Sequence, residues 1–287
     1  MKYAILADAA CDVEPVVLKK PEVGIIPMEI MQGDRTSKYI PVASSETVKV
    51  FYAAQRCGEF AKTSKISPYD YEAAMRPWLD KGYSLIYLSL SDGLSSTCQT
   101  AELVAKALEE EYPGQSVAVI DTKSATGGMG ILLERAVRNR EAGMSLYENK
   151  QNLIDAIKHI HHWFLVQDLD YLKKGGRISV ATAAVGSALH IRPILQIDQY
   201  GKLVTIARAH GTHKAVNELL ERYKKYREGG NADPVYVLDA DAPEIGDMLE
   251  EKLLALEPCL TVRRCTLSPI IGAHTGPGMA AIVHIGR

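Results

Sequence analysis

The sequence has no surplus of either charge: 33 Lys and Arg stand against 35 Asp and Glu, a formal net charge of −2. That removes the electrostatic case for a nucleic-acid partner. No stretch approaches the roughly 18 uninterrupted apolar residues of a membrane span. The five cysteines, Cys11, Cys57, Cys98, Cys259 and Cys265, are odd in number and lack paired metal-ligand spacing. They argue against a disulfide framework and structural zinc and suit a reducing cytoplasm. The eight-residue glycine-to-lysine frame of a P-loop is missing, and so is a Gly-x-Ser-x-Gly elbow. No internal repeat or low-complexity segment stands out. The run from Met1 to Asp8 meets a charge too early for a secretory h-region and reads as a first strand.

What remains is an ordinary soluble composition, 47% apolar and 24% charged over 287 residues, with room for two domains. Apolar runs at Tyr3–Ala7, Gly24–Ile30, Leu85–Leu90 and Val117–Ile120 read as strands. Helical patterns fall at Glu46–Phe60, Pro68–Lys81, Leu94–Glu111 and Gly130–Ala142, and a further one at Leu146–His161. Strand alternating with helix predicts a Rossmann-like domain with a parallel sheet over residues 1–161. Residues 162–287 have a mixed α+β rhythm. Strands are expected at Trp163–Val166, Ile194–Ile197, Leu203–Ala209, Val235–Leu238, Thr261–Leu267 and Ala280–Ile285, and helices at Thr212–Glu228 and Pro243–Leu256. Asp198-Gln199-Tyr200-Gly201 reads as a hairpin turn.

Polar groups gather where first-half strands end: Asp8, Thr63-Ser64, Ser91 to Thr97 and Asp121-Thr122. Each fits a helix N-cap. Four together point to a cleft at the carboxyl ends of a parallel sheet, where hydroxyls and helix N-termini favour an anion. Lys174-Gly175-Gly176-Arg177 brings a planar donor fork to the start of a helix-like stretch opening at Ile178-Ser179. His274-Thr275-Gly276-Pro277-Gly278 puts a titratable imidazole in a turn of fixed path. His159, His161 and His162 read as structural or exposed, since their spacing matches no metal box.

Five segments in order give the chain a resemblance to the DegV family of fatty-acid-binding proteins over nearly its whole length. They are Lys62-Thr63-Ser64-Lys65-Ile66-Ser67, Leu94-Ser95-Ser96-Thr97, Asp170 to Ser179, Ile191-Arg192-Pro193-Ile194-Leu195 and Gly272 to Gly278. The resemblance implies two α/β domains and a long-chain fatty acid in a buried tunnel. Its carboxylate would be held by hydroxyls of Thr63 or Ser64 and of Ser95; Ser96 beside them and Thr275 beside His274 are further fatty-acid-binding candidates. It also implies a separate ATP-binding fatty acid kinase subunit that phosphorylates the carboxylate, supported by Arg177 and by a protonated His274. On that reading the chain is a lipid-binding subunit in the cytoplasm rather than an enzyme. It needs no cofactor or metal, and touches the membrane surface only to load lipid. Three positions depart from the family pattern. Ala9-Ala10-Cys11 follow Asp8 where the family has Ser-Thr, Lys65-Ile66 replace Gln-Pro, and Ser96 replaces a glycine.

Two readings from other classes compete. A serine hydrolase would use Ser95 as nucleophile, His274 as base and Asp121 as orienting carboxylate. A phosphosugar or nucleotide binder would use the same helix N-termini, although few cations lie near the third-strand loop.

Overall fold

The computed structural model describes residues 2–41, 45–167, 169–179, 190–229 and 232–287. The first half runs β1 (Tyr3–Asp8), α1 (Pro15–Leu18), β2 (Val23–Ile26), β3 (Met28–Gln32), β4 (Arg35–Tyr39), α2 (Ser45–Arg56) and β5 (Ala61–Ser64). It continues with α3 (Pro68–Leu79), β6 (Ser84–Ser89), α4 (Thr97–Glu111), β7 (Val117–Asp121), α5 (Gly127–Glu141) and α6 (Leu146–Ile157). The second half opens with β8 (Ile160–Leu165), α7 (Asp170–Lys174), β9 (Ile191–Ile197) and β10 (Leu203–His210). It ends with α8 (Thr212–Tyr226), β11 (Val235–Asp239), α9 (Pro243–Leu256), β12 (Val262–Thr266), α10 (Pro269–Thr275) and β13 (Ala280–Ile285).

The chain is α/β, as expected: a parallel sheet in the order β2-β1-β6-β7 and a mixed six-stranded sheet in the order β10-β9-β8-β13-β11-β12. Every residue of β1 and β6 is buried, the pattern of central strands covered on both faces. The chain leaves β1 for β2 on one side and returns to β6 on the other. The switch point, where such sheets bind ligands, therefore lies beyond Asp8 and Ser89.

A third sheet was not expected. Strands β4, β3 and β5 form a small antiparallel sheet. The apolar run read as one strand from Gly24 to Ile30 breaks at Pro27, which has no N–H for a ladder. β2 joins the parallel sheet, and β3 starts the antiparallel one. Thr63 and Ser64 therefore close β5 of this small sheet, and only three of the four polar ends belong to parallel strands. Near residue 160 the helix α6 stops at Ile157, so that Ile160 and His161 are already strand. Asp168 and the helix-like stretch after Ser179 lie outside the described residues.

The six-stranded sheet carries two cores. Strand alternation sends Trp163 and Leu165 of β8 to one side, where they pack with Leu219 of α8 and Leu249 of α9. It sends Phe164 to the other side, with Ala281 and Val283 of β13, into the main core shared with β1 and β6. Both halves of the chain thus wall one apolar interior.

Two buried carboxyls sit at the switch point. Asp8 accepts from Leu90 N (2.7 Å), Ala10 N (3.0 Å) and the Tyr87 hydroxyl (3.3 Å), which fastens the ends of β1 and β6 together. Asp12 accepts from Ser268 N (3.1 Å), and its second oxygen has no partner among the described residues. Burial raises the Asp12 pKa from 3.8 to about 7. The folded protein therefore keeps a proton that the unfolded chain releases. The stability from this neutral carboxyl is full below about pH 4 and is lost as the pH rises through about 7. Asp12→Asn is expected to exceed the wild type by a few kcal/mol at pH 8, with the advantage vanishing near pH 4. Thermal melts across that range check this, and a pH-independent difference would contradict it.

Candidate functional site

The loop from Ser91 to Ser96 is wound around its first residue. Ser91 N donates to Ser124 O (3.0 Å), and both Leu94 N (3.0 Å) and Ser95 N (3.1 Å) donate to Ser91 O. Its Oγ donates to Gly201 O at 2.8 Å, in the β9–β10 turn. This turn holds Leu94 and Ser95 out of the helix, so α4 begins at Thr97 rather than at Leu94. Ser95 Oγ lies 2.7 Å from Thr97 Oγ1. Ser96 is exposed at the N-cap and makes no side-chain cap, leaving the first-turn N–H groups of α4 free of a capping hydroxyl.

Two other segments meet this loop. Arg177 Nε donates to Leu94 O (3.3 Å), and its Nη1 donates to Gly175 O. His274, on the last turn of α10, lies with Nε2 2.8 Å from Thr63 Oγ1 on β5. Ser64 faces the opposite way along the strand and donates to Glu29 Oε1 at 3.0 Å. Thr275 donates back to Ile271 O at 3.4 Å. Thr63, Ser64, Ser95, Ser96, Arg177, His274 and Thr275 all line one cavity of about 280 Å³. Lys65 lines it too. The rest of the wall is mostly apolar, with Leu90, Leu172, Phe164, Met279, Ala281 and Val283, and Thr126 and His162 are its polar exceptions.

The electrostatics correct one expectation. Burial first, and the neighbouring charge of Arg177 second, push the His274 pKa down to about 4. In the protein alone the imidazole is neutral at pH 7, not protonated. Burial also lowers the Arg177 pKa, so both groups favour an arriving anion that offsets the desolvated positive charge.

The hydrolase arrangement is not assembled. Ser95 pairs with Thr97, and His274 Nε2 faces Thr63 instead. His274 Nδ1 has no partner among the described residues. Asp121 pairs with Lys123 (2.6 Å) and accepts from Asp92 N (3.2 Å). A triad needs its carboxylate on that Nδ1. The first-loop residues Ala9, Ala10 and Cys11 are fully buried and do not line the cavity. Their missing hydroxyls therefore leave its polar end intact.

Sequence reasoning missed His162, which is buried and lines the same cavity from β8. The signal was available in the alternation of His162 and Phe164 against Trp163 and Leu165. The expected helix to His161 hid it. Among the described residues no group of three or more His, Cys, Asp or Glu is placed to hold a metal. No helix there is long and apolar enough to cross a membrane.

The geometry agrees with what comparison with known proteins finds. The sequence is 32% identical over 288 residues to the DegV domain-containing protein YteA of Lactococcus lactis, covering 100% of this chain and 99% of that one. The fold matches a fatty-acid-binding DegV family protein from Thermus thermophilus with a TM-score of 0.89 at 27% identity, each chain covered in full. It also matches the fatty acid kinase (Fak) B3 protein of Streptococcus pneumoniae, loaded with linoleic acid, with a TM-score of 0.88. At 20% identity, with each chain again covered in full, that match speaks for the fold alone. The sequence model of the DegV family matches residues 2–287, and the chain belongs to that family.

Proposed function

We propose that this protein binds a long-chain fatty acid, tail in the apolar cavity and carboxylate at the cluster of Thr63, Ser95, Arg177 and His274. The observation that carries this reading is a single cavity, apolar along most of its wall, closed at one end by hydroxyls, a neutral imidazole and a guanidinium. A fatty acid needs those two environments together. Its tail contributes ~0.8 kcal/mol per buried methylene, and its carboxylate must not be buried unpaired. The N-terminus of α4, which the Ser96 side chain does not cap, adds first-turn N–H groups and a positive dipole end there. A phosphosugar or nucleotide would leave the apolar wall without a partner.

On this reading Ser96 and Thr275 border the headgroup, Ser64 lines the cavity with its hydroxyl held by Glu29, and Lys65 supplies a charge where the family has a neutral residue. The first domain, residues 1–161, brings the carboxylate loops, and the second, residues 162–287, completes the acyl pocket. The chain has no nucleotide loop, so the ATP site belongs to a separate kinase subunit. The present chain acts as its lipid-binding partner, feeding acyl phosphate into phospholipid metabolism in the cytoplasm. Arg177 would neutralise developing charge during transfer. A carboxylate beside His274 raises the imidazole pKa and helps it do the same. Loading from a membrane surface needs only peripheral contact.

Denaturing mass spectrometry of gently purified protein is expected to release a fatty acid. A cavity that yields no lipid and refuses added fatty acid would sink the reading. Ser95→Ala is expected to weaken fatty-acid binding about tenfold, the scale of one hydrogen bond to a charged group. Its melting temperature should be unchanged. Equal affinities in a fluorescent fatty-acid displacement assay would move the headgroup elsewhere.

A further inference from the structure

The polar end of the cavity carries more positive charge than one carboxylate can match. Lys65 and Arg177 both line the cavity, and among the described residues no Asp or Glu does. Arg177 donates to two backbone carbonyls, Leu94 O and Gly175 O. Lys65 is exposed and has no ion pair or hydrogen bond among the described residues. Glu29, the carboxylate beside Ser64, accepts from the hydroxyl of that serine. His274 is neutral at pH 7 and adds no charge of its own. The headgroup thus meets two formal positive charges, neither matched by a carboxylate among the described residues.

Both charges stand where a headgroup would feel them. Lys65 lies two residues beyond Thr63, the spacing that sends side chains to the same side of an extended chain. Thr63 Oγ1 is in turn 2.8 Å from His274 Nε2. Arg177 arrives from a different segment and is tied to Leu94 O, next to Ser95. The first turn of α4, uncapped by the Ser96 side chain, adds N–H groups and a partial positive charge.

A carboxylate brings one negative charge and two oxygens to this cluster. A phosphate group brings three terminal oxygens and a charge of about −1.5 to −2 at pH 7. Arginine suits such a group as a planar fork, and lysine suits it as a point charge. The apolar wall requires a long chain in either case, which a sugar phosphate or a nucleotide lacks.

We infer that the cavity takes long-chain monophosphates in preference to free fatty acids, and that Lys65 is the residue that sets this preference. The inference rests on the fatty-acid reading of the cavity and assigns its headgroup class. An acyl phosphate and a phosphate monoester of an acylglycerol share the chemistry. Because Lys65 is exposed, its effect is that of a surface ion pair, about fivefold in affinity and screened by salt.

Displacement of a fluorescent fatty acid tests it. The competitors are hexadecanoic acid, freshly prepared hexadecanoyl phosphate and 1-hexadecanoylglycerol 3-phosphate, near neutral pH and at low ionic strength. At least one phosphate is expected to bind about fivefold tighter than the acid, and the tighter of the two identifies the source. The advantage should shrink toward nothing in molar salt, where the Debye length is about 3 Å. Lys65→Gln is expected to cut the ratio of phosphate to acid affinity about fivefold, and Lys65→Arg to retain it. Thermal melts confirm that both variants fold. A wild-type ratio near one, a ratio that survives in Lys65→Gln or in molar salt, or a ratio lost in a folded Lys65→Arg protein overturns the inference while leaving fatty-acid binding intact. Failure of the fluorescent probe and the acid alike to bind overturns the underlying reading as well.

Discussion

Gly93→Ala is expected to lower the melting temperature by about 5–10 °C and to weaken fatty-acid binding at least tenfold. A β-carbon at Gly93 would lie 2.5 Å from Gly201 O, 2.6 Å from Gly201 C and 2.9 Å from Tyr200 O. All three are backbone atoms, which cannot swing aside as a side chain can. Nor can the turn retreat easily. Gly201 itself has φ of +74°, and Ser91 Oγ packs so closely that a β-carbon there would overlap it. The loop must back away from the turn, stretching the 2.8 Å bond from Ser91 Oγ to Gly201 O. Overpacking of this kind costs about 1–3 kcal/mol, and the strained hydrogen bond adds about 1. At roughly 2–4 °C per kcal/mol for a chain of this size, the shift should be easily seen. Affinity falls with it, because the displaced loop carries Ser95 and Ser96. Gly229→Ala, with nothing near its β-carbon position, should melt like the wild type. A Gly93→Ala protein that melts within 1 °C of wild type would show that the loop and the turn are not locked together.

That contact joins residues more than a hundred positions apart, and it shows where sequence reasoning stops. Local periodicity was enough for the α/β class, for the β9–β10 hairpin and for the bounds of α9 and β13. Those segments have strong apolar periods or glycine-marked turns. It failed at β4, where Arg35-Thr36-Ser37-Lys38 is exposed and has no apolar alternation. At β5, only four residues long, it anticipated a strand end at Thr63-Ser64 but not the antiparallel pairing. Both strands owe their existence to pairing with β3, a tertiary effect that overrides propensity. The polar residues of the cavity could be named because hydroxyls, arginine and histidine in glycine-rich loops are conspicuous. Which of them touch could not be read. Thr63 and His274 are 211 positions apart, and Ser64 is turned to Glu29 by nothing more than strand alternation. The apolar wall was the least visible part. Phe164, Ala281 and Val283 look like any strand core, and only the packing of β8 and β13 against α5 leaves space in front of them.

That wall, more than the headgroup cluster, should govern affinity. Ala281 is buried in β13, directly opposite Phe164, and both line the cavity. Ala281→Phe projects a ring across a space of about 280 Å³. Excluding four methylenes forfeits about 3 kcal/mol at ~0.8 kcal/mol each, which is over 100-fold in affinity. Loss of one headgroup hydroxyl, as in Ser95→Ala, costs about tenfold. Ala281→Phe is therefore expected to reduce long-chain binding at least 100-fold. Acids short enough to stop before residue 281 should bind nearly as they do to the wild type, because the carboxylate cluster is untouched. The protein itself should not suffer. A ring that fills apolar space against Phe164 gains burial and an aromatic contact, and cavity-filling changes commonly add 0.5–2 kcal/mol. A melting temperature equal to or above wild type, with the preferred chain length cut short, is the expected pair of results. Long-chain affinity within threefold of wild type in a folded Ala281→Phe protein would place the acyl chain outside this cavity.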